Sequence, residues 1–408
     1  MNKKNTQNVI SNVVSKKKEE HNVPDLRFSK FLWKKVVFRD IASFFKGNGL
    51  SKEQLSSEGN DCILYGELYT KYIPGPINNI ISKTNFIPSN AFYSKNNDII
   101  LPSSGESNLD ISIACCVKKD NVILGGDLNV IRSNKHDGSF LCYQLIGKRK
   151  LDIAKIAQGA SIVHLHNSDL EKLHLYIPSS YDDELKIASL LNLISDRIVT
   201  QKKIINNLQS LINGIINESF SEKGLFKEGN LVSLKDILLE GNKVPVDTKF
   251  YKKITIKLNK EGVVFSNITR EMSDTRPFYI REKGELIIGK QNYFNGSIAL
   301  ISEEYDQTIC SNAIMSFKIK NSYNNDFIYY CISNNLFLKY RSHLANGTGQ
   351  KELSEKDFLS FVIRLPDQST QVKIVRRINL VTQKLNAEKK ILLLYEKQKQ
   401  YLLDKLFI

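Results

Sequence analysis

Two stretches of the sequence carry apolar residues at alternating steps of four and three positions, the spacing of a heptad seam. The first seam runs through Ile187, Leu191, Ile194, Ile198, Gln201, Ile205, Leu208, Ile212 and Ile215. The second runs through Ile374, Ile378, Val381, Leu385, Glu388, Leu392, Tyr395, Lys399 and Leu402. Each seam predicts a helix of about 40 residues, roughly 60 Å long at the rise of an α-helix.

Both seams are interrupted by a polar residue at the same step, Gln201 in the first and Glu388 in the second. Antiparallel pairing of the helices within one chain would bring these central positions together as a polar layer, which fixes register at some cost in stability. The alternative is that each helix packs only on the globular residues of its own half.

The residues before each seam form a repeated globular block. Ala157-Gln158-Gly159 is answered by Ala345-Asn346-Gly347, and Asp169, Leu173 and Pro178 are answered by Asp357, Phe361 and Pro366. Apolar runs predict strands at Asp98–Leu101, Ile111–Val117 and Leu128–Arg132, and again at Leu286–Gly289, Ser297–Ile301 and Ala313–Ile319. Helical spacing predicts short helices at Phe140–Leu145 and Phe327–Leu338. The predicted fold class is therefore α+β: two tandem mixed α/β blocks separated by two long helices that form an antiparallel coiled coil, in a pseudo-twofold internal repeat.

The chain is strongly basic. Its 58 Lys and Arg residues exceed its 43 Asp and Glu residues, which gives a formal net charge of +15. The excess is spread over both blocks and favours a polyanionic partner such as nucleic acid.

The cysteines and the apolar segments indicate the compartment. Six cysteines lack CxxC spacing and lie mostly in apolar runs, so we expect buried, reduced thiols. The sequence has no run of 18 apolar residues and no secretion signal, so we expect a cytoplasmic protein that does not span a membrane.

The sequence shows no convincing catalytic motif. Residues 284–291 imitate a phosphate-binding loop, but Gln291 stands where that loop needs a Ser or Thr for magnesium. We find neither the Asn-Pro-Pro-aromatic or Asp-Pro-Pro-Tyr tetrapeptide of adenine methylation nor a glycine-rich turn for S-adenosylmethionine. His164 and His166 alternate without further clustered ligands, so no metal site is expected. Catalysis would have to come from partner chains.

The chain resembles the specificity subunits of type I restriction-modification systems across nearly its whole length. The resemblance rests on Val23-Pro24-Asp25-Leu26-Arg27-Phe28 with Phe31 and Trp33 before the first block, and on Gly347-Thr348-Gly349-Gln350-Lys351-Glu352-Leu353 with Phe358 and Leu365-Pro366 after the second. The first block departs from this pattern, because residues 159–163 lack the second glycine and the Gln-Lys pair.

This resemblance implies a division of labour. Each block would be a target recognition domain that reads one half of a split site in double-stranded DNA. The paired helices would act as a ruler and as the dock for two methyltransferase subunits and, through them, restriction subunits. S-adenosylmethionine, ATP and magnesium would be bound by those partners, with no cofactor in this chain.

On this basis we predict five segments. They are an N-terminal polar segment at 1–27, a first target recognition domain at 28–178, a first spacer helix at 179–222, a second target recognition domain at 223–366 and a second spacer helix at 367–408.

Polar, aromatic and basic side chains on loops between strands are the candidate DNA contacts, because base edges need donors and acceptors while Lys and Arg hold phosphates. In the first block these are Lys46, Asn48, Tyr65, Glu67, Tyr69, Lys71, Ser103, Ser104, Glu106 and Asn108. In the second they are Lys243, Arg270, Arg276, Lys290, Gln291, Asn292, Tyr293 and Asn295. Gln350 and Lys351 lie in a loop that we expect mainly to position its domain, with a phosphate contact as the alternative.

Two other functions remain open at this stage. One is a single-chain methyltransferase or nuclease with its own recognition domains, against which the missing motifs argue. The other is a coiled-coil scaffold that binds only proteins, which salt-dependent DNA binding would exclude.

Overall fold

The computed structural model describes residues 24–26, 32–220, 229–266, 276–344 and 352–408. The chain divides into a first unit, Met1–Ile204 with Glu388–Ile408, and a second unit, Ile205–Ala387. Both cuts fall inside a long helix, because one half of each helix packs within each unit. The five segment boundaries predicted from the sequence stay predictions.

The first unit is built on a five-stranded sheet. Its strands are β1 (Trp33–Val37), β2 (Ser43–Lys46), β3 (Asn60–Ile63), β4 (Gly75–Ile77), β5 (Ser82–Thr84), β6 (Phe92–Tyr93), β7 (Asp98–Pro102), β8 (Ser104–Gly105), β9 (Cys115–Val117), β10 (Ile123–Leu124), β11 (Leu128–Arg132), β12 (Val163–His164) and β13 (His174–Pro178). Its helices are α1 (Glu67–Thr70), α2 (Gly138–Ile146), α3 (Lys150–Ile156), α4 (Asn167–Leu170) and the beginning of α5 (Tyr181–Phe220). The five-stranded sheet has the order β2-β11-β7-β9-β4, and a four-stranded sheet has the order β5-β3-β10-β6.

The second unit is built on a four-stranded sheet. Its strands are β14 (Asn230–Ser233), β15 (Leu238–Glu240), β16 (Ile254–Ile256), β17 (Val263–Phe265), β18 (Phe278–Arg281), β19 (Leu286–Gly289), β20 (Ile298–Leu300), β21 (Thr308–Ser311), β22 (Ile314–Ile319) and β23 (Val362–Leu365). Its helices are α6 (Leu234–Ile237), α7 (Asn325–Ser333), α8 (Asn335–Arg341), α9 (Glu355–Leu359) and the beginning of α10 (Gln368–Lys405). The sheet has the order β15-β22-β19-β20.

The two units share one design. The strands β2-β11-β7-β9 of the first and β15-β22-β19-β20 of the second occupy matching places in their sheets. In each unit the first and last strands pair antiparallel just before a long helix, β1 with β13 and β14 with β23. A contact repeats as well: Tyr143 donates to Asn192 Oδ1 at 3.0 Å, and Tyr330 donates to Asn379 Oδ1 at 3.0 Å. The internal repeat predicted from the sequence is confirmed.

Within the first unit, α5 and α10 run antiparallel. Arg197 Nη1 donates to the Tyr395 hydroxyl at 3.5 Å, and Gln201 Nε2 donates to the backbone oxygen of Glu388 at 3.1 Å and to its carboxylate. The contacted α10 residue number falls as the α5 number rises, which is the antiparallel sense. Each helix also packs on its own block, since Ile187 of α5 belongs to the buried cluster of the first sheet and Ile374 of α10 to that of the second.

The end of α10 completes the core of the first unit. The Phe407 ring lies 5.4 Å from the Phe140 ring and 6.2 Å from the Trp33 ring, centroid to centroid. Arg149 Nη2 donates to the backbone oxygen of Ile408 at 2.9 Å. Residues near both ends of the sequence thus share one buried cluster.

Two predicted elements are wrong in part. The predicted strand Ile111–Val117 forms only at Cys115–Val117, because Ile111 closes a turn through its N–H to Ser107. The predicted helix Phe327–Leu338 is divided at Asn334, whose backbone is extended and whose side chain accepts from the N–H of Phe337 to begin a new helix.

All six cysteines are buried thiols, as predicted. Burial raises the pKa of the Cys115 thiol to about 12.

Among the described residues, no helix combines the length and the apolar character that crossing a membrane requires.

Candidate nucleic-acid interface

Four candidates from the first block meet at the short ribbon of β8 and β12. The Tyr69 hydroxyl donates to the backbone oxygen of Ser104 at 2.9 Å, and Ser104 Oγ lies 3.5 Å from Nδ1 of His164. Burial raises the pKa of Tyr69, and the neighbouring Asp110, Tyr65 and Glu106 raise it further, so the phenol stays protonated. We call Tyr65, Tyr69, Ser104, Glu106 and His164 the first-unit patch.

Asp127 interacts with two further candidates, Lys46 and Ser103, and Ser103 directly precedes Ser104 of the patch. Lys46 is the last residue of β2. Partial burial lowers the pKa of Lys46, and the negative charge of Asp127 opposes this shift. The N–H of Ser103 donates to the backbone oxygen of Asp127 at 2.7 Å, and Ser103 itself is buried directly before Ser104. Asn48 is exposed on the loop after β2. A basic, a hydroxyl and two phenol side chains are therefore gathered in one part of the unit.

Three other candidates of the first block have structural roles. Glu67 is buried and accepts hydrogen bonds from Ser82 Oγ, from Lys71 Nζ at 2.6 Å and from the N–H of Leu64 at 3.0 Å. The prediction that Glu67 reads a base is corrected, because its two carboxylate oxygens are already satisfied inside the fold. Lys71 is held by the same group, and Asn108 Nδ2 donates to the Ala154 carbonyl at 2.8 Å near the end of α3.

Sequence reasoning missed the contribution of the histidines. The rings of His164 and His166 stack, with centroids 6.4 Å apart and 18° between their planes. Their alternation along the chain is the only signal that the sequence offers for this pair. The described residues hold no group of three His, Cys, Asp or Glu side chains placed to bind a metal.

In the second unit, four candidates line one cleft of about 620 Å³. They are Arg276, Lys290, Gln291 and Asn292, and Lys253, which the sequence did not single out, joins them. The remaining lining residues are Ile254, Thr255, Ile256, Leu258, Ser266, Phe278, Gly289, Ser297, Ser311, Ala313 and Ile314. Among these described lining residues are three cations and no carboxylate. We call this the basic cleft.

The strand β19 places the polar wall of the basic cleft. Gly289 ends β19 opposite Ser297, whose Oγ would lie 2.4 Å from a Cβ at this position, so a larger residue would displace the loop. The next residues, Lys290 to Asn292, turn into a 3-10 segment at Tyr293–Asn295 that Gly296 closes with a left-handed φ of 79°. The amide side chains of Gln291 and Asn292 are exposed there.

Tyr293 anchors this loop and does not belong to its surface. Its ring is fully buried against the Phe358 ring, 5.5 Å away, and its hydroxyl donates to the Ile332 carbonyl at 2.7 Å. The prediction that Tyr293 contacts DNA is corrected, because neither its ring nor its hydroxyl is available to a base. Asn295 Nδ2 donates to Asn292 Oδ1 at 3.1 Å and supports the same turn.

The remaining candidates of the second block lie elsewhere. Lys243 is exposed and ion-paired, with its Nζ 2.7 Å from Glu355 Oε2 and 3.1 Å from Glu240 Oε2. These carboxylates, Glu355 foremost, raise the pKa of Lys243. Arg270, Gln350 and Lys351 lie outside the described residues.

The polar break of the helical seam lies within the first unit. Gln201 and Glu388 are each 6 % exposed and hydrogen-bonded to one another. Around them, Lys202 and Glu396 form an exposed ion pair at 3.4 Å. Gln201 and Glu388 meet at the same step of the two seams, which makes this polar layer a position where register can be specified.

A family model described as the type I restriction modification DNA specificity domain matches this chain twice, at residues 32–215 and 227–395. A type I restriction-modification S subunit from M. genitalium has a similar fold, with a TM-score of 0.64 and 18% identity over 95% of this chain and 99% of that one. A second solved structure concerns complex assembly and conformational transition of the type I R-M system. It has a TM-score of 0.51 and 16% identity over 94% of this chain and 99% of that one. No curated protein sequence matched the chain.

Proposed function

Because the chain belongs to the type I restriction modification DNA specificity domain family, we propose that it is the non-catalytic subunit that reads a two-part DNA target for a methyltransferase and restriction complex. Each unit would read one half of the target. S-adenosylmethionine, ATP and magnesium would be bound by the partner subunits, two of which would be methyltransferases.

The observation that carries this proposal is the basic cleft. It combines the two chemistries that DNA reading needs, cations for phosphates and amide side chains for base edges. Lys253, Arg276 and Lys290 supply the cations, and Gln291 and Asn292 supply the amides. A glutamine or asparagine can bond to N6 and N7 of adenine in a bidentate manner, which makes these two residues the base readers that we propose in the second unit.

The first-unit patch supports the same function with different side chains. Tyr65, Tyr69, Ser104 and His164 offer hydroxyls and ring nitrogens where the basic cleft offers amides. Two units with one fold and unlike polar surfaces suit the reading of two unlike half-sites.

The long helices support the docking and spacing part of the proposal. Each is about 40 residues, which corresponds to roughly 60 Å. The second solved relative was studied for the assembly of a type I R-M system, and docking of methyltransferase subunits on this chain is proposed by analogy with it.

The test measures DNA binding by the complex of this chain with its methyltransferase subunits. We expect Lys253→Gln and Lys290→Gln each to make the negative slope of log K against log salt shallower by about 0.9. The reason is that DNA binding by each variant releases one counterion fewer. We expect Gln291→Ala to relax the methylated motif at one position, by about 1–3 kcal/mol of discrimination.

Lys283→Gln is the matched control, since Lys283 is exposed, pairs with Glu303 and is not a lining residue of the basic cleft. Its salt slope should equal that of the wild type. Unchanged slopes in both cleft variants would contradict the proposed interface. Methyl transfer or cleavage by the pure chain alone would contradict the non-catalytic role.

A further inference from the structure

Phe250 is the most exposed of the large apolar side chains among the described residues, at 80 %. It ends a 3-10 turn at Thr248–Phe250 that leads toward β16. Isolated exposed apolar residues are common on protein surfaces and carry little meaning alone. The surroundings of Phe250 distinguish it.

The turn that carries Phe250 is fixed in place. Asp247 Oδ1 accepts from the N–H of Lys249 at 3.0 Å, and the N–H of Val246 donates to the Phe278 carbonyl of β18 at 3.0 Å. After the ring, the N–H of Ile309 donates to the Lys252 carbonyl at 3.0 Å, so the backbone on both sides of Phe250 is bonded to the fold. A ring on such a turn is presented with little loss of conformational entropy when it binds.

The sequence around Phe250 is basic. Residues 248–256 contain Lys249, Lys252 and Lys253 and no acidic residue. Lys252 Nζ lies 5.2 Å from the centre of the Phe265 ring, which is itself 38 % exposed, and Lys253 Nζ lies 4.7 Å from the Phe278 ring. Phe278 is buried, but Phe250 and Phe265 are exposed beside these lysines, and such a surface suits a polyanion that also offers flat apolar faces, as DNA does.

Phe250 also lies beside the basic cleft. Lys253 is a lining residue, and three residues of chain span at most about 11 Å between Cα atoms. A duplex whose phosphates are held by Lys253, Arg276 and Lys290 would therefore pass within reach of the ring.

We propose that Phe250 acts as an apolar wedge that inserts between two base pairs of the half-site bound by the second unit. This inference rests on the proposed function, because it requires DNA in the basic cleft. Wedges of this kind unstack one base step and bend the duplex, so they favour flexible steps such as TA and CA. Phe250 would then contribute specificity at a step where no side chain bonds to a base edge.

The experiment uses the complex of the full chain with its methyltransferase subunits and a duplex that carries its methylated motif. A 2-aminopurine base is placed at successive positions of the half-site assigned to the second unit, leaving out the methylated adenine, which the methyltransferase itself displaces. In the wild type we expect fluorescence to rise at one step. In Phe250→Ala this rise should vanish and affinity should fall about five- to a hundredfold, with an unchanged salt slope because no phosphate contact is lost.

Two control variants separate the explanations. Phe250→Trp should restore both affinity and fluorescence, whereas Leu239→Ala, an apolar residue of the same unit that is 52 % exposed, should change neither. If the wild-type complex does not prefer its motif, the proposed function fails and the wedge with it. If the wild type prefers the motif and Phe250→Ala binds equally well, or if Phe250→Ala instead weakens assembly with the methyltransferase, only the wedge is overturned.

Discussion

The polar layer of Gln201 and Glu388 makes a prediction about stability that depends on the structure alone. Both side chains are 6 % exposed, and the Gln201 amide donates to the Glu388 carboxylate and to its backbone oxygen. Gln201→Leu takes a hydrogen bond from the buried Glu388 carboxylate, and Glu388→Leu leaves the Gln201 amide its bond to the backbone oxygen of residue 388, whereas the double variant replaces both buried polar side chains by apolar ones. Each single substitution should therefore lower the free energy of unfolding, and the double substitution should raise it.

The magnitudes follow from which group loses a hydrogen bond. Gln201→Leu removes a hydrogen bond from a buried carboxylate and should cost about 2–3 kcal/mol, while Glu388→Leu removes one of the two acceptors of a buried neutral amide and should cost about 1 kcal/mol. The double variant should be more stable than the wild type by about 1 kcal/mol. For a unit of this size, 1 kcal/mol corresponds to a shift of about 2–4 °C in Tm.

Thermal unfolding of the four proteins forms a double-mutant cycle that measures the coupling directly. The neighbouring pair Lys202 and Glu396 is the control, because its side chains are 44% and 45% exposed and its removal should shift stability by less than about 0.5 kcal/mol. A double Leu variant that is less stable than both single variants would refute the view that the layer trades stability for register.

Three further predictions concern other parts of the chain. Burial lowers the pKa of Lys399 to about 8, so between about pH 8 and pH 10.5 the unfolded chain binds more protons and the contribution of this group to stability rises with pH. The gain in Tm of Lys399→Met over the wild type should therefore be largest near pH 7 and shrink toward pH 10. Comparing the two proteins cancels the opposite pH trend that the buried thiols give to stability. A gain in Tm that is constant with pH would contradict the reasoning. Tyr293→Phe should cost about 1–3 kcal/mol in urea unfolding, because the Ile332 carbonyl loses its donor, and should leave the methylated motif unchanged, whereas an altered motif would return Tyr293 to the interface. Inserting one heptad after Gln201 and one after Glu388 lengthens each helix by about 10 Å. Single-molecule sequencing of the modified DNA should then find both half-sequences with a spacer longer by roughly three base pairs. An unchanged spacer with full activity would contradict the proposal that the helices set the spacing.

The parts of the fold that the sequence predicted are those with a strong period. The heptad seams gave α5 and α10, and β11 and β19 begin and end at the predicted residues. Where an apolar residue is buried in an irregular segment, the pattern of apolar positions predicts a strand that does not form. Ile111 and Ala114 are fully buried beside β9 although neither lies in a strand, so their burial imitated a longer strand.

The candidate site was predicted less completely, for a physical reason. A polar side chain on a loop can face solvent or close a hydrogen bond inside the fold, and sequence spacing does not distinguish the two. Glu67 and Tyr293 proved to be internal, while Lys253, which directly precedes β16 and belongs to no motif, lines the basic cleft. Only the three-dimensional arrangement brought Arg276 and Lys290 to the same wall.

The central claim is that the two units read separate halves of one DNA target. Its most direct test exchanges residues 28–150 for the corresponding block of a homologous chain and sequences the DNA modified by the complex with methyltransferase subunits. The account predicts that one half of the methylated motif changes while the other half, read through the basic cleft, stays as it was. A change in both halves, or an unaltered motif, would contradict it.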